Sequence, residues 1–274
     1  MSRISVLMTV YNEADFVEYA IRSCLPHVDD LVIVEGAYQE TIACGAEPRS
    51  TDGTVEICKK HLKEFAKENL DNPDHTFTYI EVNAQTDKDQ RNIGLEKIKE
   101  LNPDGWLLII DGDEVYDKTL LNMVKVTAHN MERGNQFAAY FKSLTFVNDL
   151  RHYTEQEFPR LFKLTPECKF VNDNFMEWPD ENLNWFTARV IKKPQIRYHH
   201  YAFCKDSDHE RFQLKKDWWE SRFGDKKFEY DWYVNEKGEI WSPNHRVIVF
   251  TGRHPEIMEQ HPKWKKEYSK GSNV

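Results

Sequence analysis

Four short apolar runs alternate with amphipathic stretches through the first 110 residues of the chain. The runs are 4–10 (ISVLMTV), 31–34, 77–82 and 106–110 (WLLII). Short runs of this kind, without polar alternation, predict strands buried on both faces. Between them the spacing turns helical. A helix over about 14–25 carries Phe16, Ala20 and Ile21 on one stripe and stops before Pro26. Ser50-Thr51-Asp52-Gly53-Thr54 reads as a second helix start, capped by Thr51 or Asp52, with Val55, Ile57, Cys58 and Leu62 on the buried side. A third helix over 87–101 is closed by Asn102-Pro103-Asp104-Gly105. The order β-α-β-α-β-α-β predicts an α/β fold, a mostly parallel central sheet flanked by helices with right-handed crossovers.

Beyond Asp117 a helix is expected to about residue 133, then strands at 136–145 and 160–164. The pattern loosens into mixed strands and long loops over 145–200. A helix over about 207–223 and a tail rich in Pro, His and Trp follow. No stretch dense in Gly, Ser or Pro marks a free-standing second domain.

The strand at 106–110 stops at Asp111-Gly112-Asp113-Glu114. Ligands of open α/β sheets bind outside the carboxyl ends of strands. In an extended chain Asp111 and Asp113 point the same way. Two hard oxygen donors there suit Mg²⁺ or Mn²⁺, with diphosphate oxygens and water completing the shell. The competing reading is ordinary turn chemistry, with Asp bonding the local backbone and Gly supplying positive φ.

Composition narrows the partners. At 274 residues the chain suits one large domain or two small ones. With 30% charged residues and a mean hydropathy of -0.73 it reads as soluble. A net charge of -9 argues against general nucleic-acid binding. Residues 189–227 carry 11 Lys+Arg against 6 Asp+Glu, a local +5 that leaves -14 elsewhere. That stretch is either a peripheral contact for an anionic membrane surface or the solvated face of a helix. No apolar run approaches the ~20 residues that span a bilayer. Five cysteines without a CxxC pair, and no signal sequence, point to a reducing, cytoplasmic setting, with the inner face of the membrane as the peripheral variant.

The first strand with Thr9-Val10-Tyr11-Asn12-Glu13, the acidic end of the second, Ser50-Thr51-Asp52-Gly53-Thr54 and Asp111-Gly112-Asp113-Glu114 together resemble family 2 of the glycosyltransferases. The likeness is clear over 3–120. It is weaker over 158–220, where Phe158-Pro159-Arg160-Leu161-Phe162 and His200-Tyr201 resemble bacterial sugar transferases of that family. The resemblance implies a GT-A fold, a nucleotide-sugar donor and inversion at the anomeric centre. It divides the chain into a catalytic domain over 1–204, with a donor half to 120 and an acceptor half from 121, and a C-terminal extension over 205–274. It places Thr9, Tyr11 and Glu13 at the nucleotide base and ribose, Glu35 on the base where the family has Asp, and Arg91 near the diphosphate. One departure stands out: residues 37–49 intervene before the Ser-Thr-Asp-Gly-Thr turn, beside the expected base pocket.

A divalent cation neutralises charge as the diphosphate departs. Asp113 is expected as its direct ligand, Asp111 as facing ribose or sugar as well as metal, and His200 as the third ligand, with His199 the alternative. Inversion needs a base, for which Glu177, flanked by Met176 and Trp178, is the candidate, and Asp173 and Asp180 are rivals. Seven of the eight tryptophans follow residue 170, which points to an acceptor site for a glycan or lipid-linked glycan, although packing of a small lobe explains most of them equally well. A UDP-sugar transferase of polysaccharide assembly is therefore expected. A sugar nucleotidyltransferase would need a Gly-rich basic loop after strand one, where this chain has Tyr-Asn-Glu-Ala-Asp. A non-catalytic carbohydrate-binding relative is the third alternative.

Overall fold

The computed structural model describes residues 2–69, 75–204, 210–223, 233–234, 240–242 and 245–268. The four apolar runs form β1 (Ile4–Val10), β2 (Asp30–Glu35), β3 (Thr76–Glu81) and β4 (Trp106–Ile109). They are linked by α1 (Val17–Cys24), α2 (Gln39–Ala43) with α3 (Thr54–Glu68), and α4 (Asp87–Leu101). All their pairings are parallel, in the order β3-β2-β1-β4. The period of two sorts their side chains into two cores. Val6, Met8, Leu31, Ile33 and Leu108 enter one, while Leu7, Val32, Val34, Leu107 and Ile109 enter the other. Helices cover both faces, so neither set of positions tolerates polar residues. Gly94 lets α4 lie close on the sheet: a Cβ there would stand 2.2 Å from Leu7 Cδ1.

Two local expectations change. The N-cap of α3 is Gly53, at φ 101°, not Thr51 or Asp52. Asp52 acts one step later, accepting from the backbone N and Oγ1 of Thr54 at 3.0 and 2.6 Å. Within 37–49, where only a loop was expected, α2 forms, and the segment closes on itself through Ala37 N to Pro48 O at 3.2 Å.

The second half comprises β5 (Glu114–Val115), α5 (Lys118–Arg133), β6 (Ala138–Val147), β7 (His152–Lys163), β8 (Lys169–Phe170), β9 (Met176–Glu177) and β10 (Val190–Phe203). After them come α6 (Glu210–Phe223), β11 (Tyr233–Val234), β12 (Ile240–Trp241), β13 (Ile248–Val249) and α7 (Pro262–Tyr268). The start expected for α6 at residue 207 lies outside the described residues. The strands expected at 136–145 and 160–164 belong to one long hairpin, β6–β7, and β7 pairs antiparallel with β4. The central sheet then runs β3-β2-β1-β4-β7-β6-β10-β5. This is an α/β arrangement: a curled sheet whose parallel half ends beside a return hairpin.

The described C-terminal residues pack back onto this sheet. β13 pairs with the start of β7, and Phe250, His254 and Trp264 join Phe146 and Tyr201 in an aromatic core. His254 is held as a neutral imidazole. Its Nε2 donates to Leu150 O at 2.9 Å, its Nδ1 meets Tyr201 Oη at 2.8 Å, and burial pushes its pKa down to about 4. Among the described residues no helix is long and apolar enough to cross a membrane. In the basic stretch 189–227, Lys192 and Arg197 pair with Glu157 and Glu155 of β7, and residues 205–209 and 224–227 lie outside the described part.

Candidate active site

The carboxyl ends of β1 and β4 open into a cavity of about 250 Å³. Its wall includes Thr9, Tyr11, Glu13, Arg91, Asp111, Asp113 and His200, all expected from sequence. It also includes Tyr38 and Asp87, which were not, and Trp218, one of the seven late tryptophans that pointed to an acceptor site.

The Asp111–Glu114 segment is a turn. The β4 strand ends at Ile109, and Glu114 N donates to Asp111 O at 2.9 Å. The two aspartates therefore diverge instead of sharing a strand face. Gly112 is needed for space, not for positive φ: a Cβ there would meet Val10 Cγ1 at 2.9 Å and Glu13 Cγ at 3.0 Å. After the turn, β5 pairs antiparallel with β10, setting Glu114 opposite His200 and Val115 opposite His199. Tyr201 N donates to Asp113 O at 2.9 Å. This pairing across 86 residues of chain brings His200 to the aspartate turn.

Asp113 and His200 form a donor pair. Asp113 is 3% exposed, and its Oδ1 lies 3.3 Å from His200 Nε2. Adjacent ligands of one ion held at about 2.1 Å stand roughly this far apart. His199, the next residue, points away: it stacks on Phe146, and burial pushes its pKa down to about 3. Asp111 is engaged otherwise. Its Oδ1 accepts from Arg91 at 3.2 Å and Thr9 at 3.3 Å, and its Oδ2 accepts from Arg160 at 3.1 Å. Among the described residues no three His, Cys, Asp or Glu side chains converge on one ion position. The donor set fits an ion held by Asp113 and His200, with remaining positions open to phosphate and water. The wall charge fits too: among the described residues the carboxylates Glu13, Asp87, Asp111 and Asp113 line the cavity with Arg91, and Arg160 bonds Asp111. Burial alone would lower the Arg91 pKa, but Asp87 and Asp111 outweigh it and hold the guanidinium firmly charged.

Arg160 is the residue that sequence reasoning quoted without giving it a role. Across the β6–β7 hairpin Ala139 pairs with Leu161 and Tyr140 with Pro159, so Arg160 is the extra residue of a bulge. Pro159, which has no N–H for the ladder, was the available signal. The bulge directs a fully buried guanidinium to Glu114 at 2.5 Å, Asp111 at 3.1 Å and Tyr198 Oη at 3.1 Å. Burial pushes the Glu114 pKa up to about 7, against the pull of Arg160. Removing one partner of a buried pair strands the other. Arg160→Met is thus expected to lower unfolding stability by about 3–5 kcal/mol in urea titrations. A loss under about 1 kcal/mol would mean that Glu114 does not depend on this partner.

The first loop is clamped by the Ser-Thr-Asp-Gly-Thr turn. Asn12, at φ 53°, accepts from Thr51 N at 2.9 Å, and its own N donates to Ser50 Oγ at 2.8 Å. Glu13 N donates to Thr54 Oγ1 at 2.7 Å and Ala14 N to Asp52 Oδ2 at 2.9 Å. Tyr11 is thereby held at the rim, its hydroxyl donating to Glu47 O at 2.8 Å. Glu35 does not reach the cavity. It is fully buried, accepts from Ser50 N at 2.8 Å and lies 3.6 Å from Arg49 Nε, so it anchors the returning end of the 37–49 segment. The insertion explains the change, because it brings Arg49 and Ser50 back over this carboxylate.

The sequence model of glycosyl transferase family 2 matches residues 5–196. The chain belongs to that family. Membership supports a role in glycosyl transfer. No curated protein matches the chain. Among solved structures it is similar to S. aureus TarS at 12% identity and a TM-score of 0.45, covering 82% of this chain and 40% of that one. For residues 1–349 of TarS the identity is 12% and the TM-score 0.44, with 81% and 72% covered. A 4-diphosphocytidyl-2C-methyl-D-erythritol synthase is similar at 16% identity and a TM-score of 0.36, covering 60% and 76%. The chain thus spans less than half of the full TarS structure.

The three carboxylates weighed as base separate clearly in this family 2 fold. Met176 of β9 enters the core, and the period of two turns Glu177 the other way, across from Lys169. Glu177 is not in the cavity wall. Asp180 accepts from Thr165 Oγ1 at 2.8 Å and secures the turn after β7. Asp173 sits in the tip joining β8 to β9, where its charge acts on both Asp87 and Tyr38 of the cavity wall.

Proposed function

We propose that the protein transfers a sugar from a nucleoside diphosphate donor, a UDP-sugar in the first instance, to an acceptor hydroxyl with inversion and with help from a divalent cation. The observation that carries this reading is the paired Asp113 and His200 at the floor of an acidic cavity, where β1 and β4 end. Among the described residues four carboxylates, Glu13, Asp87, Asp111 and Asp113, line the path of a diphosphate, against the guanidiniums of Arg91 and, through Asp111, Arg160. Asp113 and His200 would hold Mn²⁺ or Mg²⁺, which when bound neutralises the departing diphosphate.

The chain's own residues do the rest. Tyr11 and Thr9 line the cavity and would meet the nucleoside, and Arg91, which also lines it, would meet the phosphates. Arg91 and Arg160 hold both oxygens of Asp111, which fixes this carboxylate for ribose or sugar hydroxyls. Neither Asp173 nor Glu177 lines the cavity; Asp173, at the tip between β8 and β9 and with its charge bearing on Asp87 and Tyr38 of the wall, is our choice to take the acceptor proton. Catalysis of this kind is positioning of acceptor and leaving group together with local charge compensation.

The test is calorimetry of UDP with and without Mn²⁺, followed by a screen of nucleotide sugars for slow hydrolysis, which needs no acceptor. UDP is expected to bind at least ten-fold tighter with Mn²⁺. Equal affinity in the two conditions would remove the cation from the reading.

A further inference from the structure

Two pieces of the chain fall outside the family pattern, and the fold brings them together. The segment 37–49 interrupts the usual spacing, and α6 lies beyond residue 196, where the family match ends. α2 from the first packs against α6 over the cavity. The Trp218 indole N–H donates to Glu40 Oε2 at 3.3 Å, and Cys44 Sγ lies 3.5 Å from Ser221 Oγ. The Trp218 and Tyr38 rings meet at 6.4 Å and 52°, and both line the cavity.

The two tyrosines of the wall mark its two ends. Tyr11 stands among the charges of Glu35, Glu47 and Asp52. Tyr38 stands among those of Asp87, Arg91, Asp111 and Asp173, where the reading above puts the phosphates. The Tyr11 hydroxyl is spent on Glu47 O, whereas Tyr38 makes no side-chain hydrogen bond among the described residues. Four of the other six late tryptophans are occupied in packing: Trp178 is fully buried, Trp185 stacks on Phe175, Trp264 stacks on Tyr268, and Trp219 packs against Val147, Ala202 and Phe203. Trp232 and the side chain of Trp241 lie outside the described residues. An indole anchored by its N–H edge, beside an uncommitted phenol, offers a flat apolar face and one directional polar group. A hexose ring presents the complement, an apolar face ringed by hydroxyls.

We propose that Tyr38 and Trp218 form the subsite that reads the sugar carried by the nucleotide. Trp218 covers the apolar face of the ring, the Tyr38 hydroxyl bonds one sugar hydroxyl, and Glu40 is a positioning residue that fixes the indole. This assignment rests on the nucleotide-sugar reading above and names the part of the site that selects the donor.

The experiment compares the full chain with Trp218→Ala, Tyr38→Phe and Glu40→Ala in calorimetry with Mn²⁺. The ligands are UDP, UDP-glucose, UDP-galactose and UDP-N-acetylglucosamine. The unmodified protein is expected to bind one UDP-sugar at least ten-fold more tightly than the others. Trp218→Ala and Tyr38→Phe are expected to compress that ratio to about three-fold or less, with UDP itself within about three-fold of the unmodified protein. Glu40→Ala is expected to fall between, and Glu40→Gln, which keeps an acceptor for the indole N–H, to restore selectivity. Selectivity unchanged in both aromatic variants, or no selectivity in the unmodified protein, overturns the sugar subsite while leaving nucleotide binding standing. Failure of the unmodified protein to bind UDP overturns the nucleotide reading and this proposal with it.

Discussion

Replacing Asp113 by alanine is expected to lower sugar transfer on the order of 10³-fold and to abolish the effect of Mn²⁺ on UDP affinity. The carboxylate is 3% exposed and lies 3.3 Å from His200 Nε2, so the substitution removes one of two paired donors. The fold is expected to survive. The contact that fixes the turn to β10 runs from Tyr201 N to the Asp113 carbonyl, which alanine retains. Thermal unfolding and UDP binding without metal should therefore stay near those of the unmodified protein. Calorimetry of UDP with and without Mn²⁺ on both proteins reads this directly. If Mn²⁺ still tightens UDP equally in Asp113→Ala, the donor pair is misassigned.

Asp173→Asn is expected to reduce transfer roughly 10²–10⁴-fold with donor affinity within two-fold, while Glu177→Gln leaves transfer nearly unchanged. Both substitutions keep side-chain size and remove a charge, so they compare two positions in one ribbon. Neither lines the cavity, but Asp173 occupies the tip between β8 and β9, where its charge bears on Asp87 and Tyr38 of the wall, whereas Glu177 lies opposite Lys169. The ribbon itself is secured by Asn92 of α4, which donates to Phe170 O at 3.0 Å and accepts from Phe170 N at 2.8 Å. Its tip is thus registered on the helix that carries Arg91. Initial rates with a saturating donor, beside calorimetric donor affinity, separate chemistry from binding. A loss of transfer confined to Glu177→Gln would reverse the assignment.

Asp111 shows how a residue picked out by pattern can meet partners the pattern does not name. The acidic turn pointed to a cavity at the strand ends, and the cavity wall contains both aspartates. Alternation along a strand suggested that they act as a pair. The chain leaves the strand after Ile109, so Asp111 turns to two arginines and Asp113 to a histidine. Glu35 makes the same point differently. The resemblance put it on the nucleotide base, but a 13-residue insertion folds back and takes its carboxylate for Ser50 N.

What the sequence determined by itself is the layered half of the protein. Apolar runs without alternation require two covered faces, and the helical stripes between them supply the cover, so β1 to β4 and their crossovers follow from local pattern alone. The first loop, the Ser-Thr-Asp-Gly-Thr clamp and the acidic turn were legible for the same reason: each is a short-range motif at a strand end. The tertiary structure alone decided who meets them. His200 reaches Asp113 through a two-residue strand, Arg160 reaches Asp111 through one bulged residue, and Trp218 reaches Tyr38 across 180 residues of chain. Such contacts depend on register and packing between distant segments, which hydrophobic periodicity does not encode.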